Sequence, residues 1–103
     1  MGRHAHVMTK REIEYGDSHF NYAQELIYDW LRENGVEVFT DGDSFYDKEW
    51  QVNKDALRGI PETAYATLYE SDEGDEISPN ELREFVRDLL DAPTGEYAYI
   101  SWF

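Results

Sequence analysis

The segment from Ser78 to Asp91 carries the strongest structural signal in the chain, because it combines a helix start with a buried stripe. Ser78 suits an N-cap, Pro79 suits the first helical position, and Glu81 completes a capping box with Ser78. Apolar residues then recur at three- and four-residue spacings, which predicts one buried face: Leu82, Phe85, Val86, Leu89 and Leu90. We therefore predict a helix over residues 79–91.

Residues 19–34 show a second amphipathic helical pattern. Asp17 or Ser18 can cap its start, and Gly35 stands where a helix C-terminus commonly has glycine. The buried stripe predicted for this helix consists of Phe20, Ala23, Ile27, Trp30, Leu31 and Asn34.

Five segments have the alternation, or the β-branched and aromatic content, that predicts strands. They are residues 4–14, 36–40, 45–52, 63–70 and 96–103. The turn sequence at residues 41–44 joins the second and third segments and predicts a hairpin. Residues 63–70 also fit a helical spacing, but their Thr and Tyr content favours a strand.

The segments between these elements are shorter or irregular. Residues 53–59 predict a short helix that Gly59 and Pro61 end, and residues 71–77 predict an acidic loop. Together the elements predict an α+β fold. We expect a small two-layer sandwich of about five mainly antiparallel strands, with two amphipathic helices on one face.

A chain of 103 residues fits one domain, residues 1–103, and its 41% apolar content supplies a core. It contains no cysteine, which excludes disulfides, thiolate metal sites and a cysteine nucleophile. No apolar run approaches the roughly 20 residues of a membrane span, and the first residues lead into no apolar signal segment. We therefore expect a cytoplasmic protein.

The charge of the chain is its outlying feature. Nine basic residues stand against 23 acidic ones, for a net charge of −14. Three of the basic residues lie in residues 1–11, which hold no acid, so 6 basic and 23 acidic residues leave −17 on the remaining 92. Such a surface repels nucleic acid and anionic membranes and attracts basic proteins.

Two groups of carboxylates are the predicted partner-binding residues. The hairpin group comprises Asp41, Asp43, Asp47 and Glu49, and the loop group comprises Asp72, Glu73, Asp75 and Glu76. A further acidic row, Glu25, Asp29 and Glu33, lies on the far side of the predicted helix 19–34. Carboxylates about 6–7 Å apart along a strand or helix can imitate the charges of a phosphate backbone. The alternative is a solvated face that keeps the protein soluble.

Aromatic residues interleave with these carboxylates. Arginine stacks on aromatic rings and donates to carboxylates, so this mixture suits an arginine-rich partner, with packing under the sheet as the alternative. The tyrosines at positions that can face outward are Tyr22, Tyr28, Tyr46, Tyr97 and Tyr99.

Residues 70–81 resemble an EF-hand calcium loop. Ser78 and Glu81 match its ninth position and its bidentate twelfth position. Asp75, however, occupies the sixth position, where the sharp turn needs glycine, and Glu70 occupies the first, which is usually aspartate. A capping box after an acidic turn explains the same residues, so we predict no metal site here.

His4 and His6 lie two residues apart, so a strand directs both to one face. Glu12, Glu14 or His19 could complete a metal site with them, although ordinary strand residues explain the same pair. The sequence contains no nucleophile motif, no phosphate-binding glycine loop and no basic groove. We predict neither catalysis nor a cofactor.

These features favour a non-catalytic inhibitor or adaptor that binds a basic protein surface. In size and acidity, though in no alignable motif, the chain resembles the anti-CRISPR and anti-restriction proteins of phages and mobile elements. That resemblance implies a partner such as a nuclease or nucleic-acid-binding complex, blocked by nucleic-acid mimicry, without direct binding of nucleic acid or membrane. Two alternatives stay open: a salt-adapted acidic housekeeping domain, and a calcium-binding module that uses residues 70–81.

Overall fold

The computed structural model describes residues 4–10, 13–14, 19–20, 23–40, 49–69 and 76–102. These residues form three α-helices: α1 (Gln24–Glu33), α2 (Lys54–Arg58) and α3 (Pro79–Asp91). Their seven strands are β1 (Ala5–Lys10), β2 (Ile13–Glu14), β3 (Val38–Thr40), β4 (Glu49–Asn53), β5 (Leu68–Tyr69), β6 (Glu76–Ile77) and β7 (Tyr97–Trp102). None of the described helices is long and apolar enough to cross a membrane.

Five strands form one antiparallel sheet in the order β2-β1-β7-β4-β3, so β7 is its central strand. Ile100 of β7 pairs with Val7 of β1 on one side and with Trp50 of β4 on the other. The strands β5 and β6 form a separate antiparallel pair, in which Tyr69 lies opposite Glu76.

One face of the five-stranded sheet packs under the helices. Because side chains alternate along a strand, each strand sends every second residue to this face. The buried residues there are Ala5, Val7, Val38, Trp50, Val52, Ala98, Ile100 and Trp102, and they share one apolar cluster with Ile27 and Leu31 of α1 and with Leu82, Phe85 and Leu89 of α3. The predicted two-layer α+β sandwich is confirmed.

Helix α3 begins and ends where its sequence predicts. The Glu81 backbone N–H donates to Ser78 Oγ at 3.2 Å, and Pro79 occupies the first turn, where its missing N–H costs no hydrogen bond. The short helix α2 begins similarly, since Asn53 Oδ1 accepts from the backbone N–H groups of Asp55 and Ala56.

Gly35 ends helix α1 as predicted. Its φ of +81° lies in the left-handed region, which glycine adopts without penalty. The Gly35 N–H donates to the Arg32 carbonyl, and the Val36 N–H reaches back to the Leu31 carbonyl. These two hydrogen bonds form a Schellman motif, and Leu31 and Val36 are both fully buried beside it.

The predicted start of this helix is wrong. Helix α1 begins at Gln24 rather than at residue 19, and Ala23 at its N-cap makes no side-chain capping bond. The His19 backbone instead pairs with Ala5, donating at 2.7 Å and accepting at 2.6 Å. Phe20 follows with a φ of +56°, which a helix cannot contain. Pairing with the sheet edge therefore overrides the local helical pattern.

Two strand predictions also need correction. Residues 4–14 form two antiparallel strands instead of one, with a register irregularity between Met8 and Lys10. Within residues 63–69, the described part of the segment predicted at 63–70, only Leu68–Tyr69 is a strand, while Glu62–Ala64 is a turn of 3-10 helix. The Ala64 N–H donates to the Pro61 carbonyl and the Ala64 carbonyl accepts from Trp30 Nε1, so these contacts fix the turn.

The antiparallel pairing predicted for the hairpin of residues 36–52 is confirmed for β3 and β4, with Phe39 opposite Gln51. Its predicted turn, residues 41–44, and the start of its predicted second strand, residues 45–48, lie outside the described residues. The last predicted strand is confirmed as Tyr97–Trp102. Of the loop predicted at residues 71–77, Glu76–Ile77 is strand β6, and residues 71–75 lie outside the described residues.

Candidate functional site

Glu49 is the member of the hairpin group of predicted binding residues that the structure describes. Glu49 begins β4 and lies opposite Ser101, on the sheet face away from the helices. Asp41, Asp43 and Asp47 lie outside the described residues.

Glu76 is the member of the loop group that the structure describes. Glu76 is exposed on β6, opposite Tyr69, and therefore belongs to a different sheet from Glu49. Asp72, Glu73 and Asp75 lie outside the described residues. The sheet pairings consequently do not join Glu49 to Glu76.

The described residues around and within the segment that resembles an EF-hand loop differ from that family in local structure. A helix enters an EF-hand loop, whereas the strand Leu68–Tyr69 precedes this segment. Ser78 and Glu81 are engaged in the cap of α3. Within the described ranges, no group of three or more His, Asp or Glu side chains could hold a metal ion.

The acidic row predicted on α1 is exposed as expected. Glu25, Asp29 and Glu33 follow one another at four-residue intervals and all face away from the core. Among the described residues, none of the three has an ion-pair partner. Their charges are therefore presented to solvent along about two turns of a rigid helix.

The described cations, in contrast, are largely used inside the molecule. Arg58 pairs with Asp55 at 2.8 Å, and Arg83 pairs with Glu62 at 2.7 Å. The Arg32 guanidinium lies over the Tyr28 ring, 5.5 Å from its centroid. These contacts leave the outward field of the described region dominated by carboxylates.

Lys54 is the extreme case, because its side chain is buried in an acidic protein. Only 5% of it is exposed, and Nζ donates to the carbonyls of Leu90 at 3.3 Å and Ala92 at 2.5 Å. Backbone carbonyls at a helix C-terminus have no partner within the helix and carry partial negative charge, which a cation stabilises. Lys54 therefore caps α3.

The sheet face away from the helices carries exposed aromatic side chains. Phe39, Gln51 and Tyr99 lie side by side in one row across β3, β4 and β7. Phe39 is 45% exposed and Tyr99 is 37% exposed. Glu49 lies two residues before Gln51 on the same face. We call Phe39, Gln51, Tyr99, Glu49 and the adjacent Glu37 the open face.

Sequence patterns alone missed this row. Tyr99 was recognisable as an outward position of the last strand, but its neighbours depend on the order and register of three strands. Alternation of buried Val36 and Val38 with exposed Glu37 and Phe39 is the signal that places those two on the open face.

Of the histidines whose spacing suggests a metal site, His19 is engaged with an aspartate of α3. His6 lies in β1 opposite Ser101, whereas His19 Nε2 lies 2.8 Å from Asp88 Oδ2 on α3. The His19 ring also packs edge-on against Phe85, with centroids 5.4 Å apart. His19 thus has a structural partner in the core of the fold.

Tyr65 lies in a small cluster on the helix side. Its ring packs edge-on against Trp30, and the Arg83 guanidinium lies 5.6 Å from its centroid. Burial raises the pKa of the Tyr65 hydroxyl above its usual value, Glu62 raises it further, and Arg83 opposes both effects.

Comparison of the chain with protein-family models, with curated proteins and with solved structures finds no match.

Proposed function

We propose that this protein is a non-catalytic inhibitor or adaptor that binds a basic protein surface, and that it competes there with nucleic acid. The observation that carries the proposal is the division of charge. A net charge of −14 accompanies cations that are engaged within the fold and carboxylates that face solvent. Most described cations are paired within the molecule while the carboxylates of α1 are not, so the described surface presents a net negative field to a partner.

The partner class follows from the chemistry of such a surface. Regularly spaced carboxylates, such as Glu25, Asp29 and Glu33 on α1, attract a groove whose arginines and lysines normally contact phosphates. A nuclease or a nucleic-acid-binding complex has such a groove. The proposed role is that of a phage or mobile-element protein of anti-CRISPR or anti-restriction type, acting in the host cytoplasm.

The test is recovery of a partner from host extract, followed by competition with that partner's natural nucleic acid. Steering by charge predicts that association slows steeply as salt rises, while dissociation changes less. The protein alone should bind neither DNA nor RNA. The proposal would be refuted if the extract yields no partner, or only partners that nucleic acid does not displace from this protein.

Charge-reversed variants then locate the surface. The three variants are the hairpin group Asp41, Asp43, Asp47 and Glu49; the loop group Asp72, Glu73, Asp75 and Glu76; and the α1 row Glu25, Asp29 and Glu33. Reversal of Glu81, Glu84 and Asp91 on α3 changes the net charge as much as the α1 variant and serves as its control. Loss of a carboxylate that bonds a buried arginine should cost about 2–5 kcal/mol. Equal losses of partner affinity in all variants would indicate that the partner responds to the overall negative charge rather than to one binding site.

The two alternatives predict different responses of the melting temperature. A salt-adapted housekeeping domain would fold only in molar salt. A calcium module would gain stability from millimolar calcium but not magnesium, and would lose that gain in Glu81→Gln, because a ligand stabilises the state that binds it.

A further inference from the structure

We infer that Tyr69 of β5 and Glu76 of β6 form the docking point for an arginine side chain of the protein partner. This inference rests on the proposed function, and it names the residues that make the contact and the residue type that they receive. The two residues lie in the small two-stranded sheet, which is separate from the five-stranded sheet under the helices. Glu76 belongs to the loop group of predicted binding residues.

The register of the small sheet puts a ring and a carboxylate side by side. Tyr69 lies directly opposite Glu76, and residues opposite one another in an antiparallel pair have Cβ atoms about 4.5–5.5 Å apart on the same face. A guanidinium that stacks on the Tyr69 ring lies within about 6 Å of the ring centroid. It therefore stays within reach of the Glu76 carboxylate and can donate to it while it stacks.

The other face of the small sheet fixes this pair in place. Leu68 lies opposite Ile77, and Ile77 is buried in the apolar core, against which Leu68 packs. The next residue, Ser78, caps helix α3. The backbone under Tyr69 and Glu76 is thus anchored before a partner arrives, which lowers the entropic cost of binding.

Both side chains are available to a partner. Tyr69 is 69% exposed, the most of any large apolar side chain in the described part of the chain, and Glu76 is exposed beside it. Among the described residues, neither side chain has a hydrogen bond, an ion pair or a ring contact. A ring with this exposure contributes little to the core, so its removal tests binding with little effect on folding.

The protein holds one of its own arginines with the same two components. The Arg83 guanidinium lies 5.6 Å from the centroid of Tyr65, while its Nε and Nη2 donate to Glu62 Oε1 at 3.0 and 2.7 Å. A ring and a carboxylate together hold that arginine at the surface. Tyr69 and Glu76 present a ring and a carboxylate that no described arginine contacts.

Charge decides which occupant suits the pair. Five of the eight residues from 69 to 76 are acidic and none is basic. A second copy of the chain would bring another −14 against them, so repulsion opposes self-association. Arginine is preferred to lysine because its planar, weakly hydrated guanidinium stacks on rings and donates in a fork. The occupant is therefore an arginine-rich segment of a basic protein.

The experiment measures the affinity of the protein for nona-arginine and for nona-lysine, two peptides of equal charge, at moderate salt. Because arginine stacks on a ring better than lysine does, one exposed ring should favour nona-arginine by about two- to fivefold. In the isotopically labelled protein, the amide chemical-shift changes that nona-arginine causes and nona-lysine does not should centre on β5 and β6.

Substitutions of Tyr69 separate stacking from simple apolar contact. Tyr69→Phe should keep the preference for arginine, whereas Tyr69→Leu and Tyr69→Ala should abolish it, because only a ring has the negative face that attracts a cation. Glu76→Gln should reduce the preference as well. Its effect should not add to that of Tyr69→Ala, because one guanidinium contacts both side chains.

Two matched controls lie elsewhere on the surface. Phe39→Ala is the ring control, because Phe39 is 45% exposed but lies in the five-stranded sheet. Glu84→Gln on α3 removes one exposed charge, as Glu76→Gln does. Both controls should leave the ratio of the two affinities unchanged. Thermal melts exclude variants that unfold, and the shift map of the unaltered protein needs no variant.

Several outcomes would overturn the inference. Equal affinity for the two peptides, shifts centred outside β5 and β6, or a preference that survives in Tyr69→Ala would show that Tyr69 receives no arginine. Absence of binding to either peptide would show the same. A dimer in sedimentation that Tyr69→Ala dissociates would show that a second copy occupies the pair. All of these leave the proposed function standing, since it fails only by its own competition test.

Discussion

His19 Nε2 lies 2.8 Å from Asp88 Oδ2, and this contact joins the edge of the sheet to helix α3. The His19 backbone is paired with Ala5 of β1, so its ring is held at a fixed position above Phe85. Both side chains of the pair are largely buried. Such a pair stabilises the fold by fixing the position of His19 against α3 as well as by the electrostatic interaction between the two side chains.

We expect His19→Ala and Asp88→Ala each to lower the free energy of unfolding by about 1–3 kcal/mol, because each leaves a buried polar partner unsatisfied. A double-mutant cycle measured by urea unfolding should give a coupling of at least about 0.5 kcal/mol. The cycle of His19→Ala with Glu84→Ala, an exposed position on the same helix, should be additive. A zero coupling for His19 and Asp88 would contradict the contact.

Lys54→Met should lower the free energy of unfolding by about 1–3 kcal/mol, because the carbonyls of Leu90 and Ala92 lose their charged donor. Arg58→Met in the same helix removes the same charge from an exposed pair and should cost less than about 1 kcal/mol. Urea unfolding of both variants makes the comparison. Equal losses would mean that net charge, not the cap, decides the effect.

Gly35→Ala should destabilise the protein by about 1–2 kcal/mol, although nothing lies within 4 Å of the added methyl group. The cost comes from the φ of +81° alone. Gly59→Ala is the control, since Gly59 has a φ of −78° and an added methyl at ordinary contact distance. It should be neutral or slightly stabilising in thermal melts. Similar behaviour of the two variants would refute the left-handed Gly35.

The melting temperature should rise between about 0.01 M and 0.15 M salt, because the screening length shortens from about 30 Å to 8 Å and relieves repulsion among carboxylates. Neutralising Glu25, Asp29 and Glu33 to their amides should reduce this rise. A melting temperature that does not change with salt in either protein would show that the negative charges of the carboxylates are already balanced by nearby positive charges.

The raised pKa of Tyr65 predicts a loss of stability at high pH. The unfolded chain releases the proton of this tyrosine near its ordinary pKa of about 10, before the folded protein does. Stability is therefore fully present below about pH 10 and is lost as the pH rises through the folded pKa. Tyr65→Phe should show a smaller decline in urea unfolding, and an equal decline would contradict the predicted linkage.

Local chemistry made much of the fold predictable. The bounds of α3 follow from Ser78, Pro79 and its apolar stripe, and the end of α1 follows from Gly35. The start of α1 was not predictable, because it depends on the pairing of His19 with Ala5, a contact between segments separated along the chain. Periodicity describes single segments and contains no information on such pairings.

The candidate sites likewise divide into features that follow from local spacing and features that depend on contacts between distant segments. The exposure of the acidic row on α1 follows from helical spacing alone. The open face does not, because Phe39 and Tyr99 become neighbours of Gln51 only when β4 lies between β3 and β7. The burial of Lys54 was equally unpredictable, since the two carbonyls that accept from it lie 36 and 38 residues further along the chain.

The central place of β7 has a consequence for synthesis. Val7, Trp50 and Val52 gain their neighbours in β7 only when residues 97–102 have been made, since among the described strands β7 alone joins β1 to β4. Until β7 has been synthesised, the earlier strands therefore have unpaired edges and uncovered apolar side chains. Nascent chains in this state are prone to aggregate. Mutual repulsion among the many carboxylates already synthesised would keep neighbouring nascent chains apart during that interval.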